Sequence, residues 1–109
     1  MRRAAKRDVS EPEIVTTLRD AGFSVHPISQ TGLPDLLCGF RRRTFLVEVK
    51  SSDKGYGKGL NPNQQRFADR WAGVPIVILR NANEAADWAC QIAIETAAQP
   101  SKQIRQEAP

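Results

Sequence analysis

Pro34-Asp35 is followed, after twelve intervening residues, by Glu48-Val49-Lys50. Two carboxylates and a lysine are the set needed to hydrolyse a phosphodiester with a divalent cation. The carboxylates supply hard oxygen ligands and leave coordination positions for phosphate and water. The lysine can orient or help deprotonate the attacking water, and it offsets charge on the transition-state phosphorane. The spacing suits this chemistry. Glu48 and Lys50, two apart in a strand, share one face. Asp35 begins the neighbouring strand, and a hairpin turned at residues 41–43 returns it beside them. Taken alone, Asp-x(n)-Glu-x-Lys is a weak pattern, because strand-edge aspartates and Glu–Lys pairs are ordinary surface features.

The elements that must hold these residues follow from periodicity and caps. Ser10 reads as a helix N-cap, with Glu13 completing a capping box. Ile14, Val15 and Leu18 give that helix its apolar stripe, and Gly22 ends it. Residues 23–28 form a first strand, where Pro27 favours a sheet edge. Residues 35–40 form a second. Residues 44–50 form a third, with Phe45, Val47 and Val49 on one face and Glu48 and Lys50 on the other. Residues 51–60 hold three glycines and two lysines and read as a mobile loop. Asn61-Pro62 then caps and opens a second helix, with Phe67, Ala68 and Trp71 inward and Gly73 at its end. Residues 74–80 read as a fourth strand buried on both faces. Asn81 or Asn83 caps a last helix, with Ala86, Trp88, Ala89, Ile92 and Ala93 inward. The order predicts an α/β fold with a mixed central sheet flanked by helices. Residues 1–9 read as a flexible basic arm, 10–98 as one domain and 99–109 as a disordered polar tail.

Composition bounds the function classes. The chain has 109 residues, 40% hydrophobic and 26% charged, which suits one soluble domain with a core of its own. No apolar run approaches membrane-spanning length, and no apolar segment follows Met1-Arg2-Arg3 as a secretory signal would need. Cys38 and Cys90 lack CxxC spacing and read as buried free thiols of a reducing cytoplasm. With one histidine, a zinc site is not expected. The net charge of +4 is concentrated in Arg2, Arg3, Lys6 and Arg7, in residues 41–43, and in Lys54 and Lys58. Flanking basic groups of this kind would hold phosphates beside a locally acidic site.

The flanking residues sharpen the reading. Glu11-Pro-Glu-Ile-Val, Ala21-Gly22-Phe23, Gly32-Leu-Pro34-Asp35-Leu-Leu-Cys-Gly39 and Phe45-Leu-Val-Glu48-Val-Lys50-Ser51 resemble the PD-(D/E)XK nucleases. Within these they resemble the VRR-NUC family and the archaeal Holliday-junction resolvases. Leu60-Asn-Pro-Asn-Gln64-Gln-Arg-Phe67 and Gly73-Val74-Pro-Ile-Val-Ile add to the VRR-NUC likeness, which spans residues 10–88. The resemblance implies a restriction-endonuclease-like αβββαβ core and a Mg²⁺- or Mn²⁺-dependent endodeoxyribonuclease. It would be structure-selective, acting on junctions or flaps, or would nick duplex DNA. It implies that Asp35, Glu48 and the Val49 carbonyl bind the metal, that Lys50 is the catalytic lysine, and that Glu11 completes the site from the first helix. Glu13 competes for that helix role. Gln64 matches the family glutamine near the catalytic lysine; it could equally be a helix-capping residue, and Gln65 is its alternative. His26 reads as structural. The resemblance also implies a homodimer and the cytoplasm of a bacterial or phage-infected cell as its setting; the sequence offers Phe40, Trp71 and Trp88 as interface residues where the core does not need them. The competing reading is a non-catalytic DNA-binding or assembly module that keeps the nuclease fold.

Overall fold

The computed structural model describes residues 8–50 and 59–97. Its elements are α1 (Glu11–Asp20), β1 (Ser24–Pro27), β2 (Leu36–Phe40), β3 (Arg43–Val49), α2 (Pro62–Arg70), β4 (Val77–Leu79) and α3 (Ala82–Ala97). The four strands form one mixed, open sheet in the order β1-β2-β3-β4. The first three pair antiparallel as a meander, and β4 joins β3 in parallel after the α2 crossover. β1, with Pro27, takes the edge position expected of it.

One face of the sheet holds the core. Val25, Leu36, Cys38, Phe45, Val47, Val49 and Leu79 pack there with Ile14 and Leu18 of α1 and Ala85, Ala89 and Ile92 of α3. Phe23 stacks on Phe40 at 4.3 Å between ring centroids, and Trp88 meets both Phe23 and Phe45 at 5.2 Å. The opposite face carries the alternate residues of β3, including Leu46 and Glu48. α2 reaches this face, since Gln64 bonds Glu48. Covered on both sides, β3 is buried from Phe45 to Val49, so only the order of its faces follows the expected alternation.

Several boundaries and caps differ from the sequence reading. The Ser10–Glu13 capping box does not form. Ser10 has helical backbone angles, and its side chain makes no cap bond to α1. Glu13 is exposed. The hairpin between β2 and β3 turns on Arg41 and Arg42 alone, both at positive φ (51° and 68°), and Arg43 already belongs to β3. Two left-handed residues make the turn whose twist matches a tight hairpin, a geometry that usually selects Asn and Gly. Arg41 has compensating anchors: its guanidinium donates to the Ala93 carbonyl and to Thr96 Oγ1, both at 3.0 Å, and lies over the Phe40 ring. β4 is only three residues long and forms the far edge, with Val77 and Ile78 half-buried. Pro75 cannot donate to a ladder, and residues 74–75 stay exposed. Trp71 is exposed and stacks on Phe67 rather than filling the core. α3 is capped by Asn81, and its buried stripe is Ala85, Ala89, Ile92 and Thr96; Ala86 faces out and Ala93 is half-buried. Cys38 is buried as expected, and burial pushes its thiol up to about 12; Cys90 is exposed.

Candidate active site

The site is assembled where β2 begins and β3 ends. Leu36 pairs with Val47, so continuing the antiparallel register by one pair sets Asp35 opposite Glu48. The Asp35 carbonyl accepts from Ile28 N at 2.7 Å, which extends the β1–β2 ladder and fixes the Asp35 backbone. Its side chain is fixed as well, because Oδ2 accepts from Val49 N at 2.8 Å. In an extended strand a residue's N–H and C=O point to the same side. The Val49 carbonyl therefore also faces the Asp35 side of β3. Lys50 N donates to the Leu79 carbonyl at 3.0 Å, which ties the other side of the strand end to β4.

Glu48 is only 3% exposed. It lies beside an apolar wall of Pro34, Leu60, Phe67 and Ile76. Burial raises its carboxyl well above the ordinary range, to about 8, and the adjacent Asp35 charge and a hydrogen bond with Asp35 add to the effect. Lys50 opposes it from 3.6 Å. The two carboxyls thus form one interacting pair, which a single positive charge, from a proton or a bound cation, relieves.

Gln64 completes the cluster from the first turn of α2. Its Nε2 donates to Glu48 Oε2 at 2.7 Å, and its Oε1 accepts from Lys50 Nζ at 3.0 Å. The same Oε1 accepts from Asn61 N at 2.9 Å, while Asn61 Oδ1 accepts from Gln64 N at 2.9 Å. The sequence offers capping and site roles for Gln64 as alternatives; the one side chain makes both sets of bonds. Gln65 is exposed and bonds Asp69, so it has no part in the cluster.

Asp35, Glu48, Lys50 and Gln64 are therefore brought together. Glu11 is buried at the start of α1, 7% exposed, on the wall of an open groove with Asp8, Val9, Pro12 and Arg19. Among the described residues no three His, Cys, Asp or Glu side chains gather as a metal-holding group, so Glu11 does not join Asp35 and Glu48 in a cluster of three. His26 is exposed on β1. Arg2, Arg3, Lys6, Arg7, Lys54 and Lys58, the residues expected to contact DNA, lie outside the described residues, as do most of the 51–60 loop and the tail. Arg41 as a clamp between the hairpin and α3 was not legible beforehand, because it joins residues more than fifty apart and leaves no local trace. The Asn-Pro-x-Gln spacing marked the α2 cap, but not that the capping amide of Gln64 also reaches Lys50 and Glu48.

Comparisons of the chain with protein-family models, with curated proteins and with solved structures return no match.

Proposed function

We propose that this chain is a metal-dependent endonuclease that hydrolyses DNA phosphodiester bonds, built on the PD-(D/E)XK plan and similar to the VRR-NUC nucleases. The observation that carries this reading is the convergence of Asp35, Glu48 and Lys50 at the β2–β3 junction, with Asp35 and Glu48 tied to Val49 and Gln64.

The donor set fits Mg²⁺ or Mn²⁺. Such ions are typically held by one or two carboxylates, with water and substrate phosphate completing the shell. Asp35, Glu48 and the Val49 carbonyl would hold the ion. When bound, it supplies Lewis-acid polarisation of the phosphate and an activated water. The protein's own part is positional and electrostatic. Val49 N and Gln64 Nε2 each engage one oxygen of a carboxylate, which fixes how the pair faces the substrate. Lys50, held by Gln64, presents its remaining donors to the attacking water or a phosphate oxygen, where positive charge counts most as the phosphorane forms. The apolar wall around Glu48 limits bulk water and strengthens these interactions.

In this reading the basic residues of the arm and of the 51–60 loop hold the DNA backbone without reading bases. The working unit is a homodimer, which would set two sites at a fixed separation on a duplex or junction. The test is cleavage of labelled supercoiled plasmid, flap and four-way-junction DNA in Mg²⁺ or Mn²⁺. Cutting that stops with EDTA and returns with metal is the expected result. DNA that is bound but never cut, across the whole panel, would favour the non-catalytic module.

A further inference from the structure

We infer that Asn61 is a positioning residue: through the α2 cap it locks the Gln64 carboxamide in the one orientation that serves both Lys50 and Glu48. This rests on the nuclease reading above and adds a residue that the reading does not need.

Gln64 Oε1 receives a backbone N–H from Asn61 and an amine from Lys50, both donors only. A flipped amide would set its NH₂ against two donors and its oxygen against the Glu48 carboxylate. The observed orientation is therefore the satisfied one. Three contacts fix one planar group: 2.9 Å to Asn61, 3.0 Å to Lys50 and 2.7 Å to Glu48. The Asn61 side chain makes the fourth link by accepting from Gln64 N at 2.9 Å, which sets the backbone turn from which the carboxamide reaches back. Pro62 at the first helical position pre-sets the entry to the same turn.

α2 has little else to hold it still. None of its nine residues is fully buried. Without the cap the first turn of α2 frays, and Gln64 loses the fixed frame from which it spans Lys50 and Glu48. Asn61 touches neither carboxylate, so its effect passes entirely through Gln64. Asn, Asp and Ser all cap well, whereas Ala does not. That ranking distinguishes a cap-dependent lock from any requirement for the asparagine amide itself.

The experiment has a metal-free arm and a catalytic arm. In the metal-free protein, the Gln64 side-chain NH₂ protons are followed by ¹⁵N-resolved hydrogen exchange. The wild type and Asn61→Asp should show slow exchange, and Asn61→Ala should show exchange at least about tenfold faster, a factor of ten being about 1.4 kcal/mol. In the catalytic arm, measured well below each melting temperature, Asn61→Ala should lower kcat about tenfold with KM for DNA little changed, and Asn61→Asp should recover the rate. Gln64→Glu, which sets an acceptor against Glu48 in place of the donor, should lower kcat at least as far. Protected Gln64 protons in Asn61→Ala, or unprotected ones in the wild type, overturn the lock whatever the activity. A wild type that cuts no DNA sinks the nuclease reading and leaves the exchange result to decide the lock. A cutting wild type with an equally fast Asn61→Ala sinks the positioning role alone.

Discussion

Glu48 is an acidic residue in the most buried strand of the sheet, and its charge is costly there. The folded protein holds its carboxyl near 8, against an ordinary value of 4.5, mainly because of burial and next because of Asp35. Between those two values the folded state binds the Glu48 proton more tightly than the unfolded chain does. Stability of the metal-free protein therefore falls as pH rises from about 4.5 towards about 8, by an amount on the order of a few kcal/mol at most. Glu48→Gln should remove most of that slope and melt higher than the wild type at pH 8 in EDTA; equal pH slopes in the two proteins would contradict it. Asp35, Glu48 and Lys50 were legible because strand alternation and a hairpin leave few ways to arrange them. Gln64 was legible only as a choice between cap and site, since nothing in a one-dimensional pattern says that a single amide has two ends to use. Glu11 was expected in the site partly because a Ser10–Glu13 capping box set Glu13 aside; that box does not form, and Glu11 does not join Asp35 and Glu48. With Glu13 exposed and Glu11 buried, Glu13→Gln should leave both melting temperature and cleavage unchanged, whereas Glu11→Gln should change one or both. The opposite ranking would restore Glu13 as the residue of interest.

At the scale of elements, the β2–β3 hairpin sets the register that brings Asp35 to Glu48, and it does so through two arginines in left-handed conformation. A left-handed L-residue costs about 1–2 kcal/mol. Arg41 offsets its share with bonds to α3 and the contact with Phe40. Arg42 is exposed at the same turn. Replacing Arg42 with Gly should therefore stabilise the fold by roughly 0.5–1 kcal/mol, while Arg41→Gly should gain nothing or destabilise. Urea midpoints decide this, and equal shifts for the two variants would show that Arg41 anchors nothing. Strand pairing and the helix cap at Asn61 were readable locally, and the α3 cap was readable as one of two asparagines, Asn81 or Asn83, because turn and cap chemistry are local. The inward face of α3 was not. Alanines occur around most of that helix, so periodicity alone cannot choose between a stripe through Ala86 and Ala93 and the observed one through Ala85, Ala89, Ile92 and Thr96. The shortness of β4 was hidden for another reason: residues 74–79 are apolar apart from Pro75, and a run of that kind does not say how much of it is paired.

For the molecule as a whole, the aromatic residues divide between core and surface. Phe40 and Trp88 pack into the cluster around Phe23 and are spent in the fold. Of the expected interface residues, Trp71 alone remains prominent at the surface, 43% exposed. The proposed homodimer then predicts sedimentation at twice 12.1 kDa at micromolar concentration, and a shift towards the monomer in Trp71→Ala. A wild-type mass near 12.1 kDa would remove the dimer and with it concerted cutting of both strands.

In the proposed function, Asp35, Glu48 and Lys50 form one metal-dependent hydrolytic centre. Single-turnover cleavage of DNA in saturating Mg²⁺ tests it most directly, comparing the wild type with Asp35→Ala, Glu48→Ala and Lys50→Ala, each first shown to melt cooperatively. All three should lose at least about 10²–10³ in rate, the scale of removing one group that stabilises developing charge, and none should be rescued by more DNA. A folded variant of any of the three that cuts at the wild-type rate would contradict it.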